Sequence, residues 1–200
     1  MDTNILKSAA KAYKKLMKTE YHIVLGRKGN INTLDIVFMP DNFYHLAGFH
    51  KLKQRYAFQQ HTSAWILDHI IDETITVKSI ENDKNFNMIT ERLYALEILE
   101  QALDSVKTRF YSYDRKKVVF ATKITADYLA KAGIGDGTVI FSFFVRADNK
   151  YCMNSIFQEV AYDYSSRQTQ YTVLLKEKKT NNNGISECLE LYRHNKYDGK

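Results

Sequence analysis

Thr138-Val-Ile-Phe-Ser-Phe-Phe-Val-Arg-Ala-Asp-Asn-Lys-Tyr-Cys-Met-Asn-Ser-Ile-Phe157 reads as two β-rich runs on either side of Asp148-Asn149, a tight-turn pair. Aromatic and β-branched side chains pack well on a pleated surface, so residues 138–146 and 151–157 predict an antiparallel pair of strands. Downstream, Gln168-Thr-Gln-Tyr-Thr-Val-Leu-Leu-Lys176 predicts a further strand. Residues 176–183 then read as a polar loop, and Ile185 to Tyr192 as a short C-terminal helix. Upstream, Arg109 to Tyr113 and Lys117 to Ala121 flank Asp114-Arg115 as a hairpin-like pair. Thr125 to Lys131 reads as a short helix closed by Gly133, and Gly135-Asp-Gly137 leads into the strand.

The first half has a different period. Ile5, Leu6, Ala9, Tyr13, Leu16 and Met17 recur at three-and-four spacing, which predicts an amphipathic helix over about 3–18. Its lysines at 7, 11, 14, 15 and 18 read as a solvated face. A hairpin follows, Tyr21–Leu25 and Thr33–Phe38, with Gly26-Arg-Lys-Gly-Asn30 as its turn. Ser63 caps a helix from Ala64 through Ile71, Thr76 caps a short turn through Ile80, and about 85–107 carries a continuous apolar stripe from Ile89 to Val106. His69 and Arg92 lie on these helices and read as structural. Segregated helices and strands predict an α+β class rather than alternating α/β.

Two hundred residues with 44% apolar content suffice for one domain with a sizeable core. A single proline and eight glycines argue against a linker-rich chain. The net charge of +6 is compatible with attraction to a polyanion, whether nucleic acid or a membrane surface. No apolar run is long enough to cross a bilayer, no secretory pattern opens the chain, and Cys152 and Cys188 lack zinc or disulfide spacing. A reduced, cytoplasmic setting is expected, with no membrane partner.

The chemistry concentrates in Phe43-Tyr-His-Leu-Ala-Gly-Phe-His-Lys-Leu-Lys-Gln-Arg-Tyr56. Here two imidazoles, His45 and His50, sit among Lys51, Lys53, Arg55 and several aromatic rings. Imidazole exchanges protons near neutral pH, cations neutralise phosphate and aromatic faces stack on bases. No phosphate-cradling glycine loop, His-Glu-x-x-His or Gly-x-Ser-x-Gly elbow occurs. His45 and His50 are five apart, a poor spacing for two ligands on one helix face, so no metal and no cofactor is expected.

RNA cleavage needs neither, because the substrate's 2′-hydroxyl is the nucleophile. The protein must supply a base, an acid and cations for the phosphorane charge. His45 or His50 can act as base or acid; Lys51, Lys53, Arg55, Lys123 and Arg146 can bind phosphate; Ser155 and Tyr171 can donate hydrogen bonds.

Phe43-x-His45-Leu46-x-Gly48-x-His50-Lys51-Leu52 resembles the signature of a phage-associated family of barnase–EndoU–colicin–RelE-like nuclease domains. Glu91-Arg92-Leu93, Ile124-x-Ala126-Asp127-Tyr128-Leu129, Phe141-x-Phe143 through Asp148-Asn149-Lys150-Tyr151, Asn154-Ser155-Ile156-Phe157 and Gln170-x-Thr172-Val173-Leu174 follow in the family's order. The resemblance covers about 20–178 of a single domain, leaving 179–200 as a C-terminal extension. It implies N-terminal helices followed by a mainly antiparallel sheet of about four strands, as in barnase and RelE. It also implies metal-independent ribonuclease activity in a phage or mobile-element protein, as a toxin or effector with an antidote or host protein as partner. His45 matches the family's recognisable histidine and Lys51 follows in the same block. The leading expectation is therefore a metal-independent endoribonuclease with His45 as acid or base, and with Lys51, Lys123 and Arg146 on the phosphate. A non-catalytic nucleic-acid- or protein-binding module of the same fold is the alternative.

Overall fold

The computed structural model describes residues 4–54, 56–135, 137–182 and 184–199. Helix α1 (Ile5–Leu16) buries Ile5, Leu6, Ala9, Tyr13 and Leu16, the positions set by its apolar period. Strands β1 (Thr19–Arg27) and β2 (Asn30–Val37) form the expected hairpin. Its two-residue turn places Lys28 at φ +49° and Gly29 at φ +81°, the pair of left-handed conformations that matches the twist of the flanking strands.

Helices α2 (Phe43–Leu46), α3 (Tyr56–Gln59), α4 (Ser63–Ile71), α5 (Phe86–Glu97) and α6 (Leu99–Asp104) follow. The stripe expected as one helix over 85–107 is broken at Ile98, whose ψ of 4° ends α5 before α6 begins. Thr62, rather than Ser63, caps α4 by accepting from the Trp65 amide.

The remaining strands are β3 (Arg109–Ser112), β4 (Tyr128–Gly133), β5 (Val139–Ala147), β6 (Lys150–Gln158), β7 (Thr169–Asn182) and β8 (Ile185–Arg193). They do not make a four-stranded sheet. The order β1-β2-β6-β5-β4-β3-β7 returns to β1, closing a seven-stranded barrel, and β8 adds an eighth strand on β7. All ladders are antiparallel except the short parallel join of β2 to β6, where Ile36 pairs with Tyr151.

The expected sheet fails because the N-terminal hairpin does not stand apart from the C-terminal strands. β1 pairs with β7 from Thr19–Thr180 to Gly26–Thr172, and β2 reaches β6. Closure leaves the ring without a free edge, satisfying backbone groups that an open four-stranded sheet would expose. At this seam a Cβ on Gly26 would come within 2.7 Å of Leu174 Cδ1, so the Leu174 side chain packs into the space that the glycine leaves.

Pairing also overrides local signals elsewhere. Residues 176–182 continue β7 instead of looping, and 185–193 form β8 instead of a helix. Tyr128–Gly133 is a strand because β3 and β5 flank it, whereas residues 117–121 have no ladder and form none.

The main core joins α1, α4, α5 and α6 to one face of the strands, including Ile23, Ile36, Phe144 and Ile156. A smaller cluster, Tyr111, Tyr113, Leu129, Phe141 and Phe143, covers the opposite face of β3–β5 under Phe157 and Tyr164. β5 is consequently buried on both faces over Ile140–Phe144.

Candidate active site

Ser63 at the head of α4 clips the segment that carries the histidines. Its hydroxyl donates to the Pro40 carbonyl at 2.8 Å and accepts from the Tyr44 amide at 2.8 Å. Phe43, Leu46 and Phe49 anchor in the core, which turns the intervening His45 outward.

Gly48 then reverses the chain at φ +86°, and residues 49–51 make a 3-10 turn. The reversal stacks the imidazoles of His45 and His50 with centroids 4.1 Å apart and planes 9° apart. Five residues is the wrong spacing on a helix and the right one across this turn. Gly48 is needed twice, for its left-handed backbone and for space: a Cβ there would lie 2.8 Å from Arg92 Cδ and 3.0 Å from Ile89 Cγ2. Beyond the turn, Asn85 donates to the Lys51 carbonyl at 2.7 Å and Asp83 accepts from the Gln54 amide at 2.8 Å, fixing the segment to the start of α5.

The histidines open on a cavity of about 620 Å³. On the helical side it is lined by His45, His50, Lys51, Met88, Glu91 and Arg92. The other side comes from Thr122 and Lys123 of the β3–β4 connection, Ser155 and Phe157 of β6, and Tyr162 and Tyr164 of the β6–β7 connection.

Arg92 lies in the cavity wall, only 7% exposed. Its guanidinium donates to the Leu46 carbonyl at 3.4 Å and to Ser155 Oγ at 3.3 Å, and lies 5.7 Å from the Phe157 ring centroid. Among the described residues it makes no ion pair with a carboxylate. Burial pushes its pKa down to about 10, leaving it cationic at neutral pH. A buried charge without a counter-ion is costly, and an anion entering the cavity would relieve it.

The same charge acts on its neighbours. Partial burial, then Arg92, then Lys51 hold the His45 pKa below its ordinary value, favouring the neutral imidazole. Burial and Arg92 lower the Lys51 pKa, with Glu91 opposing them.

Five residues singled out from the sequence therefore meet at one cavity: His45, His50, Lys51, Lys123 and Ser155. Three do not line it. Tyr171 is partly buried against the core beside Tyr128, ring centroids 6.1 Å apart. Arg146, at the end of β5, donates to the Asp148 carbonyl at 3.1 Å. Lys53 is exposed outside the lining. Arg55 lies outside the described residues.

Read from the sequence as structural, Arg92 also lines the cavity. The signal was present: Arg92 interrupts the buried Ile89–Leu93–Leu96 stripe, where a cation requires an anion or a polar pocket.

No helix among the described residues is long and apolar enough to cross a membrane. No curated protein matches the chain, and no solved structure does. The family model described as phage-Barnase-EndoU-ColicinE5/D-RelE like nuclease4 matches residues 5–192. The match runs through both walls of the cavity, and the chain belongs to this family of nuclease-like domains.

Proposed function

We propose that this protein is a metal-independent endoribonuclease whose scissile phosphate occupies the His45–Arg92–Lys123 cavity. The observation that carries the reading is the buried Arg92 guanidinium, without a carboxylate partner among the described residues and flanked by stacked imidazoles. One carboxylate, Glu91, lines the cavity against Arg92, Lys51 and Lys123, a set that suits an anion better than a divalent cation.

In this reading neutral His45 takes the proton from the substrate's 2′-hydroxyl. The 2′-oxygen attacks phosphorus, the bond to the 5′-oxygen breaks, and that oxygen takes up a proton. The products are a 2′,3′-cyclic phosphate and a free 5′-hydroxyl. In-line displacement sets entering and leaving oxygens on opposite sides of phosphorus. Because the His45 and His50 rings are stacked together, they serve one side, and Lys123 from the opposite wall serves the leaving oxygen. Arg92, Lys51 and the Ser155 hydroxyl hold the phosphoryl oxygens, where fixed donors stabilise developing charge.

Incubation of the protein with tRNA or total RNA in excess EDTA tests the reading. Cleavage to cyclic-phosphate ends is expected, with kcat/KM lowered about 10²- to 10⁴-fold in folded His45→Ala. Intact RNA that is bound but uncut would make the protein a binding module, and a strict metal requirement would overturn the mechanism. As a toxin or effector, the wild-type protein should arrest growth on expression and His45→Ala should not.

A further inference from the structure

The β6–β7 connection carries an aromatic group that the chemistry above leaves unused. Tyr162 is 56% exposed and lines the cavity, with its ring stacked on Phe120 from the β3–β4 connection at 4.2 Å and 21°. Exposed tyrosines are common, but this one is held in place. Asp163, the next residue, pairs with Lys131 at 2.9 Å and accepts from the Ser165 amide at 2.8 Å. Lys131 also reaches Glu159 at 3.3 Å, tying both ends of the Glu159–Asp163 segment to β4. Phe120 is in turn braced edge-on by Tyr164, 4.8 Å away, and Tyr164 packs on Phe157 beneath Arg92. A pinned, half-stacked ring at the rim of a cation-lined cavity has the form of a base-stacking platform.

We propose that Tyr162 receives a nucleobase beside the scissile phosphate, so that the substrate is single-stranded RNA with one base turned out of its stack. The proposal rests on the ribonuclease reading above. Duplex RNA cannot satisfy it, because its bases are paired and stacked on one another. One face of Tyr162 is occupied by Phe120, and its open surface stands at the cavity where Arg92 and Lys123 would hold the adjoining phosphate.

The test uses a 2′-O-methyl oligonucleotide, which lacks the attacking hydroxyl, carrying 2-aminopurine at successive positions. Binding to the wild-type protein should quench the fluorophore at one position through stacking. Tyr162→Ala should weaken binding about 5- to 150-fold, the range for loss of one base–aromatic stack, and abolish the quench. Tyr162→Trp should restore both. An abasic nucleotide at that position should weaken binding to wild type and add nothing in Tyr162→Ala. Equal affinity and quench in wild type and Tyr162→Ala would overturn the platform. If the all-ribose oligonucleotide is still cleaved in that case, the ribonuclease reading stands alone. If wild type neither binds nor cleaves either oligonucleotide, both readings fall.

Discussion

His45 owes its character to neighbours distant in sequence. Partial burial and the charges of Arg92 and Lys51 disfavour the imidazolium. Its titration midpoint, followed by the imidazole proton resonances, should therefore lie below about 6.5. Lys51→Gln should move it upward, and an unchanged midpoint would show that Lys51 does not act on the ring. A pKa lowered by folding contributes stability that is complete above the unfolded value and is lost as pH falls through the folded one. Unfolding free energy should accordingly fall as pH drops below about 6.5, less steeply in Lys51→Gln. The acid limb of kcat/KM should follow the same midpoint, since the base must be neutral to act. A limb set by a group other than His45 would stay in place when Lys51 is replaced.

The turn built on Gly48 does the work that spacing alone could not foretell. Alanine at φ +86° would carry backbone strain of about 1–3 kcal/mol, and its methyl would press on Arg92 Cδ and Ile89 Cγ2. Gly48→Ala should lower the unfolding free energy by at least that amount and, on the proposed function, reduce cleavage beyond the stability loss, because it displaces the Arg92 guanidinium in the cavity wall. Normal stability in chemical denaturation would contradict the assigned backbone constraint. Much of this element was legible beforehand: Phe43–Tyr56 stood out for its histidines and cations, and its apolar residues at 43, 46 and 49 are the ones that anchor it. The stacking of His45 on His50 was not, because it depends on a left-handed glycine between two short helical turns. Arg92 was legible only as an oddity in an apolar stripe, since its meaning depends on β6 and the Phe157 ring packing against α5.

The barrel closes through contacts between strands distant in sequence, with β1 and β7 forming the seam that completes the ring. β8 is outside that ring and largely exposed, with Ile185 at 68% and Leu189 at 58%. A chain ending at Asn182 should still fold cooperatively, with a lower denaturation midpoint from the lost β7–β8 ladder and the lost Leu191 contact, and with cleavage retained. Loss of cooperative unfolding would show that β8 is part of the essential core. The cavity, by contrast, draws its second wall from the β3–β4 and β6–β7 connections, which bear Lys123 and Tyr162 and spring from strands of the ring.

Periodicity and composition alone determined α1, the first hairpin and the β5–β6 hairpin, since each depends on side chains close in sequence and on turn residues such as Gly29 and Asp148. They also marked His45, Lys51, Lys123 and Ser155 by chemical type. Folding in three dimensions decided how many strands share one sheet, that 185–193 is a strand, and that Arg92 is the cavity's buried cation. The difference is physical. A turn or an amphipathic face is a local property of the chain, whereas a ladder partner and the cost of a buried charge belong to whatever distant segment packs alongside.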